Sequence, residues 1–311
     1  MAYTAITVEG GLFPSDLLDR IATGQVKGQG WKDFFPEVGG EAKPAGRLTD
    51  EIEQAFSDAR EYWNTFQRRQ RYAHESLTSL TRSAWIVPLL ERLGFELVYQ
   101  PSAAVVGGES YFVSHRAGPD PDAPPVHVTG IDQSLDRRGE SARRSPHALV
   151  QELLNRSDAL WGIVTNGRQL RLLRDSARTS RPTYVELDLE AMIQGNQYSE
   201  FVLAYRLLHR TRFPNGSADA PNCRLETYFQ QGIEEGGRVR EHLREGVEAA
   251  LRELGSALLL YPGSGELRAA LVSGELTAEG YYRELLRLIY RILFLMVVEE
   301  RKLIYPGVAL T

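Results

Sequence analysis

The stretch that decides the fold is Ser145–Asp175, SPHALVQELLNRSDALWGIVTNGRQLRLLRD. Ser145 is placed to cap a helix whose first helical residue is Pro146, a position where the missing N–H costs nothing. Leu149, Val150, Leu153, Leu154 and Leu160 then recur at helical spacing, so an amphipathic helix is expected. Trp161–Thr165 is a short apolar, partly β-branched run, Asn166-Gly167 is a strong hairpin-turn signal, and Gln169–Leu173 alternates polar and apolar residues. The segment reads as helix, strand, tight turn, strand.

Upstream, Phe95–Tyr99, Tyr111–His115 and Val126–Ile131 are candidate strands, with a turn at Gly107-Gly108 and a looser connection over 118–125. Two helices precede them. The first, from Asp50 to about Glu75, carries the stripe Ile52, Phe56, Ala59, Trp63, Phe66, has Asp50 and Glu53 as an approximate capping pair, and closes on Arg68, Arg69 and Arg71. The second, Leu77–Leu93, ends at Gly94 and is kinked or reset at Pro88. The first 47 residues hold two short helices, 14–22 and 31–35, and an aromatic cluster, Trp31, Phe34 and Phe35, suited to docking on the main body.

Downstream, a short helix starts at Leu189, and Glu200–Thr211 continues helically. FPNGSADAPN (213–222) reads as a linker, and from Arg224 the chain is helical over 224–260, 265–274 and 277–303. The expected domains are an N-terminal arm (1–47), an α/β domain (48–212) and a helical domain (223–311).

With 42% hydrophobic and 25% charged residues among 311, the chain has an ordinary globular composition. Cys223 is the sole cysteine, which excludes intrachain disulfides and cysteine-based zinc sites. MAYTAITVEGG has neither a basic start nor an apolar core, and the most apolar run, Ile292–Val298, is far short of the ~20 residues that cross a bilayer. A cytoplasmic protein without a membrane span is expected. Net charge is −5, yet Arg137–Arg181 holds ten arginines against Glu140, Glu152, Asp158 and Asp175. Such a patch suits phosphate contact. The plainer explanation is compositional, because only Lys27, Lys32, Lys43 and Lys302 are lysines among 36 basic residues.

WGIVTNGRQLRLLRD (161–175), followed by YVELDLEAMI (184–193), resembles the nuclease-like N-terminal region of long bacterial restriction-modification proteins of the type IIG-like kind, in which an adenine-specific DNA methyltransferase lies further along. LGFELVYQP (93–101), SYFVSHRAG (110–118) and YRILFLMVVEER (290–301) are similar to that region too, so the likeness runs from about Leu48 onward. It implies an α/β fold with a PD-(D/E)xK nuclease-like core followed by an all-helical region, and the order helix, three strands, helix, strand, strand agrees with it.

The resemblance also implies Mg²⁺ held by an Asp on one central strand and an acid on the next, with a Lys two residues later. The third candidate strand, VHVTGID, has no Glu-x-Lys, and Asp132 is its only acid. Glu41-Ala42-Lys43 sits in a Gly/Pro loop, and Glu300-Arg301-Lys302 ends a helix, where residues i and i+2 point about 200° apart. Migrated ligands remain: Glu109, Asp132 and Glu152, the last beside Gln151, which matches a Gln that related nucleases carry. The bland alternative places Glu109 in a turn, Asp132 at a strand end, and Glu152 paired with Arg156 at i,i+4. A degenerate nuclease core is expected, with Mg²⁺ only if these acids converge.

His74, His115, His127, His147, His209 and His242 lack zinc-site spacing, and adjacent Ser114 and His115 would point to opposite faces of a strand. Gly236-Gly237 lies in a helical stretch, and neither a phosphate loop nor a methyltransferase motif occurs. S-adenosylmethionine is expected only in an associated methyltransferase. Three functions fit: a non-catalytic DNA-binding and scaffolding module of a restriction-modification or phage-defence methyltransferase system, an active Mg²⁺-dependent endonuclease, or a protein-interaction module reusing the fold. For the first, Arg137, Arg138, Arg143, Arg144 and Arg168 are the DNA-contact candidates. The last helix is apolar on more than one stripe. Leu293, Met296 and Val297 therefore await either a methyltransferase partner or self-association, unless the helix is buried all round in its own bundle.

Overall fold

The computed structural model describes residues 3–37, 46–72, 75–139, 142–176 and 182–300. The first unit, Met1–Ile233, opens with β1 (Ile6–Glu9), α1 (Ser15–Ala22), α2 (Trp31–Phe34) and the long α3 (Leu48–Gln70). α4 (Leu77–Thr81), a π turn over Arg82–Ile86, and α5 (Val87–Arg92) follow without a break. Then come β2 (Val98–Tyr99), β3 (Ala104–Val106), β4 (Glu109–Tyr111), β5 (His115–Arg116), β6 (Pro125–Val128), α6 (Pro146–Arg156), β7 (Trp161–Thr165), β8 (Gln169–Arg174), β9 (Tyr184–Asp188), α7 (Leu189–Gln194) and α8 (Tyr198–Leu208). α9 (Arg224–Leu260) leads into the second unit, Glu234–Thr311, which adds α10 (Gly265–Ser273) and α11 (Ala278–Glu300).

Seven strands form one mixed sheet in the order β1-β9-β8-β7-β6-β5-β2, while β3 and β4 make a separate hairpin. Among the described residues β6 and β7 are its only parallel neighbours, with Val126 opposite Ile163 and Val128 opposite Thr165. Parallel neighbours cannot be joined by a tight turn. α6 supplies the crossover, capped by Ser145 Oγ, which accepts the N–H of Ala148 at 3.2 Å. Val150, Leu153 and Leu154 face the sheet. Gly162 lets that helix close in: a Cβ there would stand 3.2 Å from Val150 Cγ1 and 3.1 Å from Pro125 Cγ.

The two faces of the sheet carry different cores. Trp161, Ile163, Leu170, Leu172, Val185 and Leu187 point toward α3, α5, α7 and α8, where Ile52, Phe56, Trp63, Trp85 and Leu90 are buried. Val164, Leu173, Tyr111 and Leu135 lie under α6. The β7–β8 turn is fastened to the first of these layers, since Trp85 Nε1 donates to the Gly167 carbonyl at 2.7 Å. Gly167 has φ +86°, and an added Cβ would lie 2.8 Å from Thr81 Cγ2.

Several sequence expectations change. α6 stops at Arg156, so Leu160 precedes the strand instead of completing the helical stripe. α3 starts at Leu48 behind Arg47, without a side-chain cap, so Asp50 and Glu53 do not form a capping pair. Of the two outcomes expected at Pro88 the reset holds: Pro88 stands in the first turn of α5, after a helix that widens over Arg82–Ile86. Tyr111–His115 is not one strand. Its start belongs to the β3–β4 hairpin, whose turn is Gly107-Gly108, and the chain joins the main sheet only at His115. The N-terminal arm is part of the sheet: β1 pairs with β9, and buried Glu200 accepts the N–H groups of Thr4 and Ala5 at 2.9 and 2.8 Å. Phe34 docks under Tyr205, with the Arg212 guanidinium 4.1 Å from its ring centroid. The stretch 213–222 also packs on this unit, with Phe213 and Ala220 buried, and the division between units falls inside α9.

In the helical unit Leu251, Leu285 and Ile289 form a small core, and Tyr281 Oη donates to the Gly255 carbonyl at 2.8 Å. Ile292, Phe294, Leu295, Met296 and Val297 are exposed, so α11 is not buried all round within its own bundle. Tyr305-Pro306 and Lys302 lie outside the described residues, as do Glu41-Ala42-Lys43 and His74. Among the described residues no helix is long and apolar enough to cross a membrane.

Replacing Gly167 by Ala forces a side chain into a positive-φ position against Thr81. The expected loss is more than ~1 kcal/mol in urea unfolding followed by tryptophan fluorescence, and a midpoint equal to wild type would show that the turn tolerates a Cβ.

Candidate functional site

The start of the charged segment lies in the loop between β6 and α6, and four contacts hold that loop. Thr81 Oγ1 accepts the N–H of Ile131 at 3.1 Å, Asn166 Nδ2 donates to the Gln133 carbonyl at 2.8 Å, His147 N donates to the Leu135 carbonyl at 3.0 Å, and Asp136 meets Arg171. Cross-strand register places Arg171 itself, opposite Glu186 on β9 and opposite Val164 on β7.

Arg171 is 3% exposed. Its guanidinium donates to Asp136 at 2.6 and 2.8 Å, to Glu186 at 2.6 Å and to His147 Nδ1 at 3.2 Å, and lies 4.7 Å from the Tyr184 ring centroid. Arginine has no acceptor, so Nδ1 carries the lone pair and His147 is neutral. Burial, and then Arg171, hold its pKa below the ordinary histidine value. Burial opposes the charge on Arg171, but the bonds to Asp136 and Glu186 outweigh it and hold the proton more tightly than usual. Asp136 is correspondingly held below the usual carboxylate range by its hydrogen bonds from Arg171.

Of the three acids expected as migrated metal ligands, two come together. Arg144 lies between them, 2.9 Å from Glu109 and 2.5 Å from Glu152, and its guanidinium covers the Tyr111 ring at 5.0 Å. Glu152 therefore pairs with Arg144 and not with Arg156. The same hydrogen bond holds the Glu109 carboxyl below its ordinary range. Asp132 is exposed, and among the described residues no group of three His, Cys, Asp or Glu side chains could hold a metal ion. The Mg²⁺ that the nuclease resemblance implies does not fit these residues, since the place between the two acids is taken by an internal cation. Gln151 turns elsewhere, donating to Asn155 and to the Arg174 carbonyl at 2.9 and 3.0 Å.

The arginine candidates separate into paired and unpaired. Arg144 is committed, and Arg168, though exposed, sits 3.5 Å from Glu190. Arg174, counted in the same patch, grips Glu226 with two hydrogen bonds of 2.9 and 2.8 Å. Arg137, Arg138 and Arg143 are exposed and form no ion pair among the described residues.

Ser114 and His115 are not on opposite faces. Ser114 precedes β5, so strand alternation does not apply to it, and its Oγ lies 2.9 Å from His115 Nδ1. That Oγ also accepts the Val128 N–H at 2.9 Å and lies 3.2 Å from the Val126 carbonyl. Both residues are buried, and the hydroxyl serves the backbone of β6. Gly236-Gly237 lies within α9.

Two residues without an expected role are Phe112, 45% exposed, and His127, a polar residue among the apolar positions of β6. Burial, and then the Arg82 cation, push His127 down to about 4. The signal was present in VHV, a single polar side chain inside a buried run. In comparisons with known proteins, the chain matches no protein-family model, no curated protein and no solved structure.

Because Asp136 and Glu109 are depressed carboxylates, their stabilisation is complete above the unfolded carboxylate value of about 4 and is lost as pH falls through their lowered folded values. Asp136→Asn is expected to be destabilised at pH 6 and to converge on wild type toward about pH 2 in urea midpoints. A gap that stays constant over that range contradicts the pairing.

Proposed function

We propose that the chain is a nuclease-like, non-catalytic DNA-binding and scaffolding module of a cytoplasmic bacterial restriction-modification or phage-defence system that works with an adenine-specific DNA methyltransferase. The element order supports it: helices, the antiparallel meander β2, β5, β6, then α6 and the parallel β7 follow the sequence of elements that the resemblance implies. One arrangement carries the reading. On a single loop, Arg144 neutralises the two acids that converge, while Arg137, Arg138 and Arg143 stand exposed without counter-charges among the described residues. An internal cation between paired carboxylates opposes the metal chemistry of cleavage, and unpaired arginines on a fixed loop favour phosphate contact.

Fluorescence anisotropy of a labelled duplex across a salt series tests the binding half. Each neutralised phosphate contributes about −0.9 to the log–log slope, so removing Arg137, Arg138 and Arg143 together is expected to weaken binding and to flatten the slope by up to about 2.7. Unchanged affinity and slope in the triple alanine variant would mark the loop as solvated surface. With Mg²⁺ or Mn²⁺ the duplex is expected to stay intact. Metal-dependent nicking abolished by Asp132→Ala would overturn the non-catalytic half.

The scaffolding half rests on α11. Met296 and Val297 are 59% and 51% exposed on a helix whose inner face already packs through Leu285, Ile289 and Leu293. The methyltransferase is the proposed cover, with self-association in its absence. Light scattering of the chain alone is expected to show a mass above 34.9 kDa that rises with concentration, and Met296→Glu/Val297→Glu is expected to run as a folded monomer. A monomer in both cases defeats the docking idea.

A further inference from the structure

A cavity of about 310 Å³ opens on the α6 side of the sheet, between the β3–β4 hairpin and the loop that leads into α6. Phe112 and Leu149 give it apolar surface, and Ser110, His127, Gln133 and Arg143 give it polar groups. The volume falls at the lower end of the range of about 300–1,000 Å³ found for ligand pockets, which suits one planar ring system with its sugar.

These polar groups are unspent. The side chains of Ser110, Gln133 and Arg143 make no hydrogen bond or ion pair among the described residues, and His127 Nδ1 is buried without a partner. Ser110 and Arg143 are exposed at the rim and Gln133 is half-buried, so all three side chains are open to a ligand. The lining also has a particular chemistry. His127, neutral at physiological pH because burial and then Arg82 depress it, lines the cavity with a ring that carries one polar edge toward it, and the Gln133 amide offers both a donor and an acceptor. Such a pair matches the edge of a heteroaromatic base. Phe112, half-exposed, supplies aromatic surface for stacking, and Arg143 adds the cation that a phosphate needs.

We propose that this cavity receives a single nucleotide unit, its base stacked on Phe112 and read by His127 and Gln133, its phosphate on Arg143. A free nucleotide and an unpaired nucleotide of a strand present the same chemistry. The DNA-binding reading bears only on which of the two is the source.

The experiment uses the full chain as wild type, Phe112→Ala and Phe112→Trp. Calorimetry with dAMP and dTMP probes the free nucleotide, and anisotropy with a labelled thymidine homo-oligomer and a labelled duplex probes the strand. Phe112 is half-exposed, so its truncation leaves the core intact, and thermal unfolding of each variant checks this. Phe112→Ala is expected to weaken single-strand or mononucleotide binding roughly tenfold, the effect of losing one base stack, with Trp restoring it and duplex affinity unmoved. Phe112-dependent mononucleotide binding identifies a free nucleotide, and a single-strand effect alone identifies a strand nucleotide. No binding of either probe by wild type, or equal affinity in all three proteins, overturns the inference. Salt-sensitive duplex binding in that case leaves the DNA-binding reading standing, whereas mononucleotide binding without duplex binding does the reverse.

Discussion

A guanidinium buried on a sheet face must bring its counter-charges with it, and Arg171 imposes that requirement on everything above β8. Glu186 is supplied by the neighbouring strand through register, so it needs no additional ordering. Asp136 is different: it arrives on the loop between β6 and α6, and the bidentate contact draws that loop down onto the sheet. Only Arg171 is buried, since Asp136 is 64% exposed, but removing Asp136 leaves the buried guanidinium with one counter-charge fewer. The loop is thereby held in place, and Arg137 and Arg138 follow Asp136 directly, pointing outward.

That constraint divides the basic segment into two populations. Arg144, Arg171 and Arg174 are consumed by Glu109, Glu152, Asp136, Glu186 and Glu226, and they hold the fold. Arg137, Arg138 and Arg143 are left for solvent or a ligand. Part of the net positive segment is therefore structural, and its interaction surface is smaller and more sharply placed than the count of arginines suggests. Arg144 has a second consequence: it ties the hairpin β3–β4 to α6, which sets the width of the cavity beneath them.

Local signals made part of this legible. The Ser145 cap, the Pro146 start, the Asn166-Gly167 turn and the Gly94 helix end all act within a few residues, and each appears where its chemistry places it. What was not legible depends on distant partners. β1 is an edge strand whose pairing with β9 and whose anchor at Glu200 lie nearly the whole domain away. The i,i+4 rule assigns Glu152 to Arg156, but Arg144 prevails because it also reaches Glu109 and Tyr111. Arg144 and Arg143 are neighbours of the same type, and nothing in their local sequence tells which will be paired. Spacing alone gave His127 no role, because the burial of Nδ1 is visible only once the strand has neighbours.

The proposed function makes the loop held by Arg171 the nucleic-acid contact surface. Hydrogen–deuterium exchange of the full chain, with and without a saturating DNA duplex at low salt, tests it most directly. The account predicts that DNA slows exchange over residues 131–145 and the first turn of α6, and that this protection disappears at high salt. Protection confined to other segments, or none in this loop at saturation, would contradict it.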